Sequence, residues 1–139
     1  MLIAELKQIY ENFYGNQGTD FNDILYIEKR LGIKLPNDFK EIARFYSGGL
    51  LGDIEHYSIS MDSEPNLVNK TLELRENINL DNRYIVLAEP AESIIFLDIE
   101  SYNVIWCDST DLFSDNSDKW NSYQDFFSYL LLEDIEMQS

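Results

Sequence analysis

The chain has 139 residues, 45% hydrophobic and 14% aromatic, which predicts a single packed domain over residues 1–139 and argues against a disordered chain. Its 26 acidic side chains against 10 basic ones give a formal net charge of −16, which excludes a general affinity for nucleic acid or for anionic membrane surfaces. One cysteine, Cys107, excludes an intramolecular disulfide and fits a reducing compartment.

The opening Met1-Leu2-Ile3-Ala4-Glu5 runs straight into charged, helix-like sequence, without the basic and apolar regions of a signal peptide. Apolar runs such as residues 84–88 and 129–132 are far shorter than the ~18 residues that span a bilayer. A cytoplasmic protein is expected. Leu2, Leu6, Ile9 or Tyr10, and Phe13 recur at helical spacing, with Gly15 placed as a stop. Asp20 is a good N-cap for a second helix carrying Ile24, Ile27 and Leu31 and ending at Gly32. Residues 33–35 should be extended, because Pro36 disfavours helical backbone in the residue before it. Pro36 then suits a first helical turn, with Phe39, Ile42, Ala43 and Tyr46 on one face and Ser47-Gly48-Gly49 as the end.

Past Gly52 the period changes. Residues 54–60 read as a short strand and 65–76 as a helix with Leu67, Val68, Thr71 and Leu72 inward. Asp81-Asn82 marks a turn. Residues 84–88, 93–97 and 102–107 are short, β-branched and aromatic, and their brief connectors predict an antiparallel meander. Residues 108–119 are polar and loop-like. Ser122 with Asp125 forms a capping box before Phe126, Phe127, Leu130 and Leu131, a C-terminal helix. The expected class is α+β, with a central, mostly antiparallel sheet and helices from the N-terminal third and the C-terminus packed around it. Leu35, Phe39, Ile42, Ile95 and Phe126 are expected in the core.

The charge is uneven. Residues 1–83 hold nine bases and fourteen acids, net −5, whereas residues 84–139 hold one base, Lys119, and twelve acids, net −11. Such a surface attracts basic partners. His56 is the only histidine, so a two-histidine metal site or acid–base pair cannot form within one chain, and an exposed or hydrogen-bonded ring is expected. Cys107 lies among acids, which disfavour a thiolate, and reads as a buried structural thiol. The run from Asp108 to Asp118 fails the calcium-loop pattern in every frame: Leu112, Phe113 or Lys119 falls where a ligand is needed. The chain contains no phosphate-cradling glycine loop, no Gly-x-Ser-x-Gly elbow and no basic stripe with interleaved aromatics. Trp106 and Trp120 are expected to fill core space rather than to act as interface anchors. No catalytic residue, metal or cofactor is expected.

The stretch Ile27-Glu28-Lys29-Arg30-Leu31-Gly32-Ile33-Lys34-Leu35-Pro36-Asn37-Asp38-Phe39-Lys40-Glu41, with Ser47-Gly48-Gly49 after it, resembles the opening signature of the SUKH superfamily. The sequence around Ala88-Glu89, Phe96-Leu97-Asp98 and Val104-Ile105-Trp106 resembles its sheet, and Ser122–Leu130 its last helix. The resemblance covers residue 20 onward; Leu50-Leu51 stand where an aromatic often follows the glycine pair. It implies a binding protein. Many bacterial members are immunity proteins that neutralise a cognate polymorphic toxin, often a nuclease, and a fungal relative regulates cell-wall synthesis. A nuclease presents a basic surface, which the acidic half of this chain would complement. The expected contact residues are Glu89, Glu92, Asp98, Asp108, Asp111, Asp115 and Asp118. The alternative is a non-catalytic regulatory or scaffolding module with another partner.

Overall fold

The computed structural model describes residues 1–138. In chain order they form α1 (Ile3–Tyr14), α2 (Phe21–Leu31), α3 (Asn37–Ile42), β1 (Gly49–Leu51), β2 (Ile54–His56), α4 (Leu67–Ile78), β3 (Tyr84–Ala88), β4 (Ser93–Asp98), β5 (Val104–Asp108), β6 (Asp118–Trp120) and α5 (Tyr123–Gln138). The strands make one sheet in the order β1-β2-β3-β4-β5-β6, antiparallel at every step. The α+β class and the antiparallel meander read from the sequence are therefore what the chain forms. Among the described residues, no helix is long and apolar enough to cross a membrane.

The first helices end where their punctuation says. Asp20 accepts the Asn22 amide at 2.8 Å at the start of α2, and Gly32 stops that helix at φ +68°. The Leu35-Pro36 corner is then tied back: the Leu35 N–H, which Pro36 keeps out of a helix, donates to Glu28 Oε2 at 2.8 Å. Asp38 reaches in two directions, accepting the Phe39 amide through Oδ1 and the Gln124 amide at the start of α5 through Oδ2, at 2.8 and 2.9 Å. Ser122 Oγ accepts the Asp125 amide at 3.0 Å, which is the serine half of the capping box expected before α5. α3 is shorter than predicted. α3 stops at Ile42, and a tight turn carries Phe45 and Tyr46 into the core instead of a continued helix.

β1 and β6 carry no clear periodic signal. Of residues 54–60, expected as one strand, only Ile54–His56 form β2, the second limb of a hairpin whose turn residues, Gly52 and Asp53, both sit at positive φ (+62° and +60°). β6 emerges from the segment expected to be loop and closes the opposite edge of the sheet.

The sheet buries both faces. Ile85, Leu87, Ile95, Leu97 and Val104 face α1, α3 and α5 in the main core, where Tyr10, Phe45, Tyr46 and Phe127 interlock with ring centroids 5.2 to 6.0 Å apart. Val86, Ile94, Phe96, Ile105 and Cys107 face the other way and are covered by Leu74, Leu80, Leu112 and Phe113. Leu35, Phe39, Ile42, Ile95 and Phe126 are all buried, as expected from their positions in the pattern. Leu35 is 3% exposed, so Leu35→Ala should cost about 2–5 kcal/mol in a denaturant titration; a shift under ~0.5 kcal/mol would place it outside the packed core.

His56 corrects an expectation. It is neither exposed nor fully hydrogen-bonded: it sits 7% exposed on β2, edge-on to Tyr46 and Phe126, with no partner for Nε2 among the described residues. Burial pushes its pKa from the ordinary 6.5 down to about 4, against smaller opposing effects from the Leu51 backbone and the Asp134 charge. The unfolded chain therefore binds a proton that the folded one refuses. The stability that the neutral ring preserves is complete above about pH 6.5 and is lost as pH falls toward 4, by on the order of 3 kcal/mol. His56→Phe should flatten that part of the stability–pH curve; an unchanged slope would assign the acid sensitivity to other groups.

Candidate functional site

The seven acids expected at an interface fall into three places. Asp98, at the end of β4, is only 3% exposed and is spent within the fold. Arg83 holds it with Nε at 3.0 Å and a terminal nitrogen at 2.7 Å, and Ser101 Oγ and the Glu100 amide donate to it at 2.8 and 2.9 Å. Burial pushes its carboxyl up, but these donors outweigh burial and hold it below the usual carboxylate range. Asp98 cannot reach a partner surface without leaving Arg83, so it is removed from the set. Glu89 is exposed but lies elsewhere. It accepts the Tyr57 hydroxyl at 2.8 Å and lines a separate hollow with Glu55 and Glu64, at the β2–β3 end of the sheet.

Glu92, Asp108, Asp111 and Asp118 come together. They line one hollow of about 400 Å³ with Trp106 in its wall, formed by the start of β4, the end of β5, the 109–117 loop and β6. Asp115 is exposed on the same loop, outside that lining. Register explains the convergence. Ser93 pairs with Asp108 and Trp106 with Asp118, so Trp106, Asp108 and Asp118 project from the same face at one corner. Thr110 donates both its hydroxyl (2.7 Å) and its amide (2.8 Å) to Asp108 Oδ1, which holds that carboxyl below its ordinary pKa and keeps it charged.

The loop is not free to wander. Phe113 folds beneath the sheet, stacks on Tyr84 with centroids 4.3 Å apart, approaches Phe96 to 4.8 Å and donates its amide to Cys107 Sγ at 3.3 Å. This anchor fixes the acidic loop before any partner arrives, so less ordering is required on binding. It also accounts for Cys107, which is fully buried and structural.

The tryptophans fill core space as expected, but only in part. Trp106 and Trp120 pack against the main core but remain partly open, because β6 is the last strand and the α5 side chain above it, Tyr129, is itself 45% exposed. Trp120 touches Tyr129 (centroids 5.4 Å) and lies 6.4 Å from Trp106, leaving an aromatic corner beside the acids. Sequence reasoning had no signal for this corner, since partial exposure of an edge strand depends on where α5 runs. The site offers charge and aromatic surface. Among the described residues, no group of three or more His, Cys, Asp or Glu is placed to hold a metal ion.

A family model described as SMI1-KNR4 cell-wall, SUKH_5, matches residues 1–132. The chain belongs to the SUKH superfamily. No curated protein matches it. The SUKH match takes in α1, ahead of the signature at residues 27–49, and all but the last residues of α5. Membership is consistent with an immunity-type or regulator-like protein, a class that is generally non-catalytic. The most specific SUKH signature residues here are structural. Glu28 and Asp38 are engaged at the Leu-Pro corner and at α5, so they are not what would distinguish one partner from another.

Proposed function

We propose that this protein is an immunity protein that binds and neutralises a cognate toxin domain stoichiometrically, without chemistry of its own, and that the toxin domain is a nuclease with a basic surface. One observation carries the reading: Glu92, Asp108, Asp111 and Asp118 converge on a pre-ordered corner beside Trp106 in a chain of net charge −16. An enzyme that grips a phosphate backbone must present cations, and a fixed acidic surface competes for those cations. The aromatic corner supplies the apolar contact that slows release.

Co-expression with the protein encoded beside it tests the reading. Growth rescue together with one-to-one co-purification supports immunity. A harmless neighbour that never co-purifies would sink it. The SMI1-KNR4 cell-wall description favours a second reading, a regulatory module on the same platform. That reading gains if affinity capture returns an endogenous housekeeping protein in place of a toxin.

A further inference from the structure

Next to the acidic hollow lies a second, smaller one of about 380 Å³, bounded by Trp106, Asp118, Lys119, Trp120 and Tyr129. The two share Trp106 and Asp118. We infer that this aromatic slot receives a single arginine side chain from the partner, its guanidinium stacked on Trp120 and Tyr129 and paired with the Asp118 carboxylate. The inference deepens the proposed function and rests on its basic partner.

The chemistry of the walls selects the occupant. Trp106, Trp120 and Tyr129 present rings at 38° and 48° to one another within 6.4 Å, and such π-faces attract cations. Asp118 makes no ion pair or side-chain hydrogen bond among the described residues, so its charge is available. It projects from the same face as Trp106, its cross-strand partner. Lys119 pairs with Ile105, so its side chain leaves β6 from the face opposite Asp118, and among the described residues it makes no ion pair with that carboxylate. Glu133 beside the Tyr129 hydroxyl adds negative charge at the far wall and, with Asp118, raises that hydroxyl's pKa. An anion would be repelled here, and an uncharged apolar group would strand Asp118. Arginine answers both features, because its planar fork stacks on rings and pairs with carboxylate in two-point geometry; lysine supplies only a point charge.

The test needs no toxin. Capped Gly-Arg-Gly, Gly-Lys-Gly and Gly-citrulline-Gly peptides are titrated into the full chain, with NMR following the Trp106 and Trp120 indoles and Tyr129. The arginine peptide should give saturable shifts confined to the slot, about fivefold tighter than lysine, and citrulline none. Asp118→Asn should weaken the arginine peptide about fivefold or more, while Asp62→Asn, an equal charge change on an exposed loop elsewhere, should not. Trp120→Leu should abolish the response; Asp118→Asn remains decisive if that variant fails to fold. Equal responses to arginine and citrulline, no saturable shift, or equal effects of the two asparagine variants would overturn the slot. Arginine binding without toxin neutralisation would defeat the proposed function and leave the slot standing. Neutralisation with Asp118→Asn as tight as wild type would do the reverse.

Discussion

Gly48→Ala is expected to destabilise the protein by at least about 3 kcal/mol, well beyond the cost of the same change at Gly49. Both glycines lie at positive φ, +96° and +87°, where an L side chain is strained. Their surroundings differ. A Cβ at Gly49 meets open space, whereas one at Gly48 would stand 2.5 Å from the Tyr57 carbonyl oxygen and 3.0 Å from Ser58 Cα. Neither obstacle is a side-chain tip that can swing away. The Tyr57 amide donates to Leu87 O at 3.0 Å, Ser58 to Pro65 O at 3.0 Å and Ile59 to Ser47 O at 2.8 Å, so the facing segment after β2 is held from both sides. Gly49→Ala should cost only the backbone strain, roughly 1–3 kcal/mol. Denaturant midpoints of the two variants decide the matter. Gly48→Ala no worse than Gly49→Ala would mean that the crossing relaxes.

The same comparison shows what a sequence can and cannot carry. Asp20, Gly32 and Ser122 act through hydrogen bonds or backbone angles within a few residues of themselves, and each does in the structure what its type predicts; Pro36 stands one step earlier than expected, as the extended residue capping α3 and not in its first turn. The meander was legible for a related reason, since each of its longer strands is apolar and β-branched. β1 and β6 span three residues each, too few for a period to register. Phe113 was hidden in a polar run, and only its fit against Tyr84 and Phe96, about 30 and 17 positions upstream, reveals it as an anchor. Burial of Asp98 depends on Arg83, and that of His56 on Tyr46 and Phe126; both are long-range facts. The site was half visible. Excess acid after Arg83 is a property of composition, but which acids converge is set by the β4–β5–β6 register and the anchored loop.

The acidic corner should control how fast a partner arrives more than how long it stays. Charges on a pre-ordered surface act at a distance, and the distance is set by salt: the Debye length falls from ~30 Å at 0.01 M to ~3 Å at 1 M. Association with the proposed basic partner should therefore slow steeply over that range, while dissociation, governed in that proposal by short-range contacts around Trp106, Trp120 and Tyr129, should change less. Reversing Glu92, Asp111 and Asp118 to lysine should lower the low-salt association rate by about 10- to 100-fold and weaken protection in cells. Asp108 is left intact because its carboxylate holds Thr110 and a change there would disturb the loop itself. The control must be matched with care. Asp20, Asp23, Glu28 and Asp38 all accept backbone amides, so reversing them would damage the fold rather than the field. Glu41, Asp62 and Glu76 are exposed and lie in the less acidic half; reversing them changes net charge equally and should slow association far less. Stopped-flow measurements across salt separate the outcomes. Equal slowing by the two triple variants would reduce the effect to total charge, and association that ignores salt would place the interface elsewhere and leave the acidity to solubility alone.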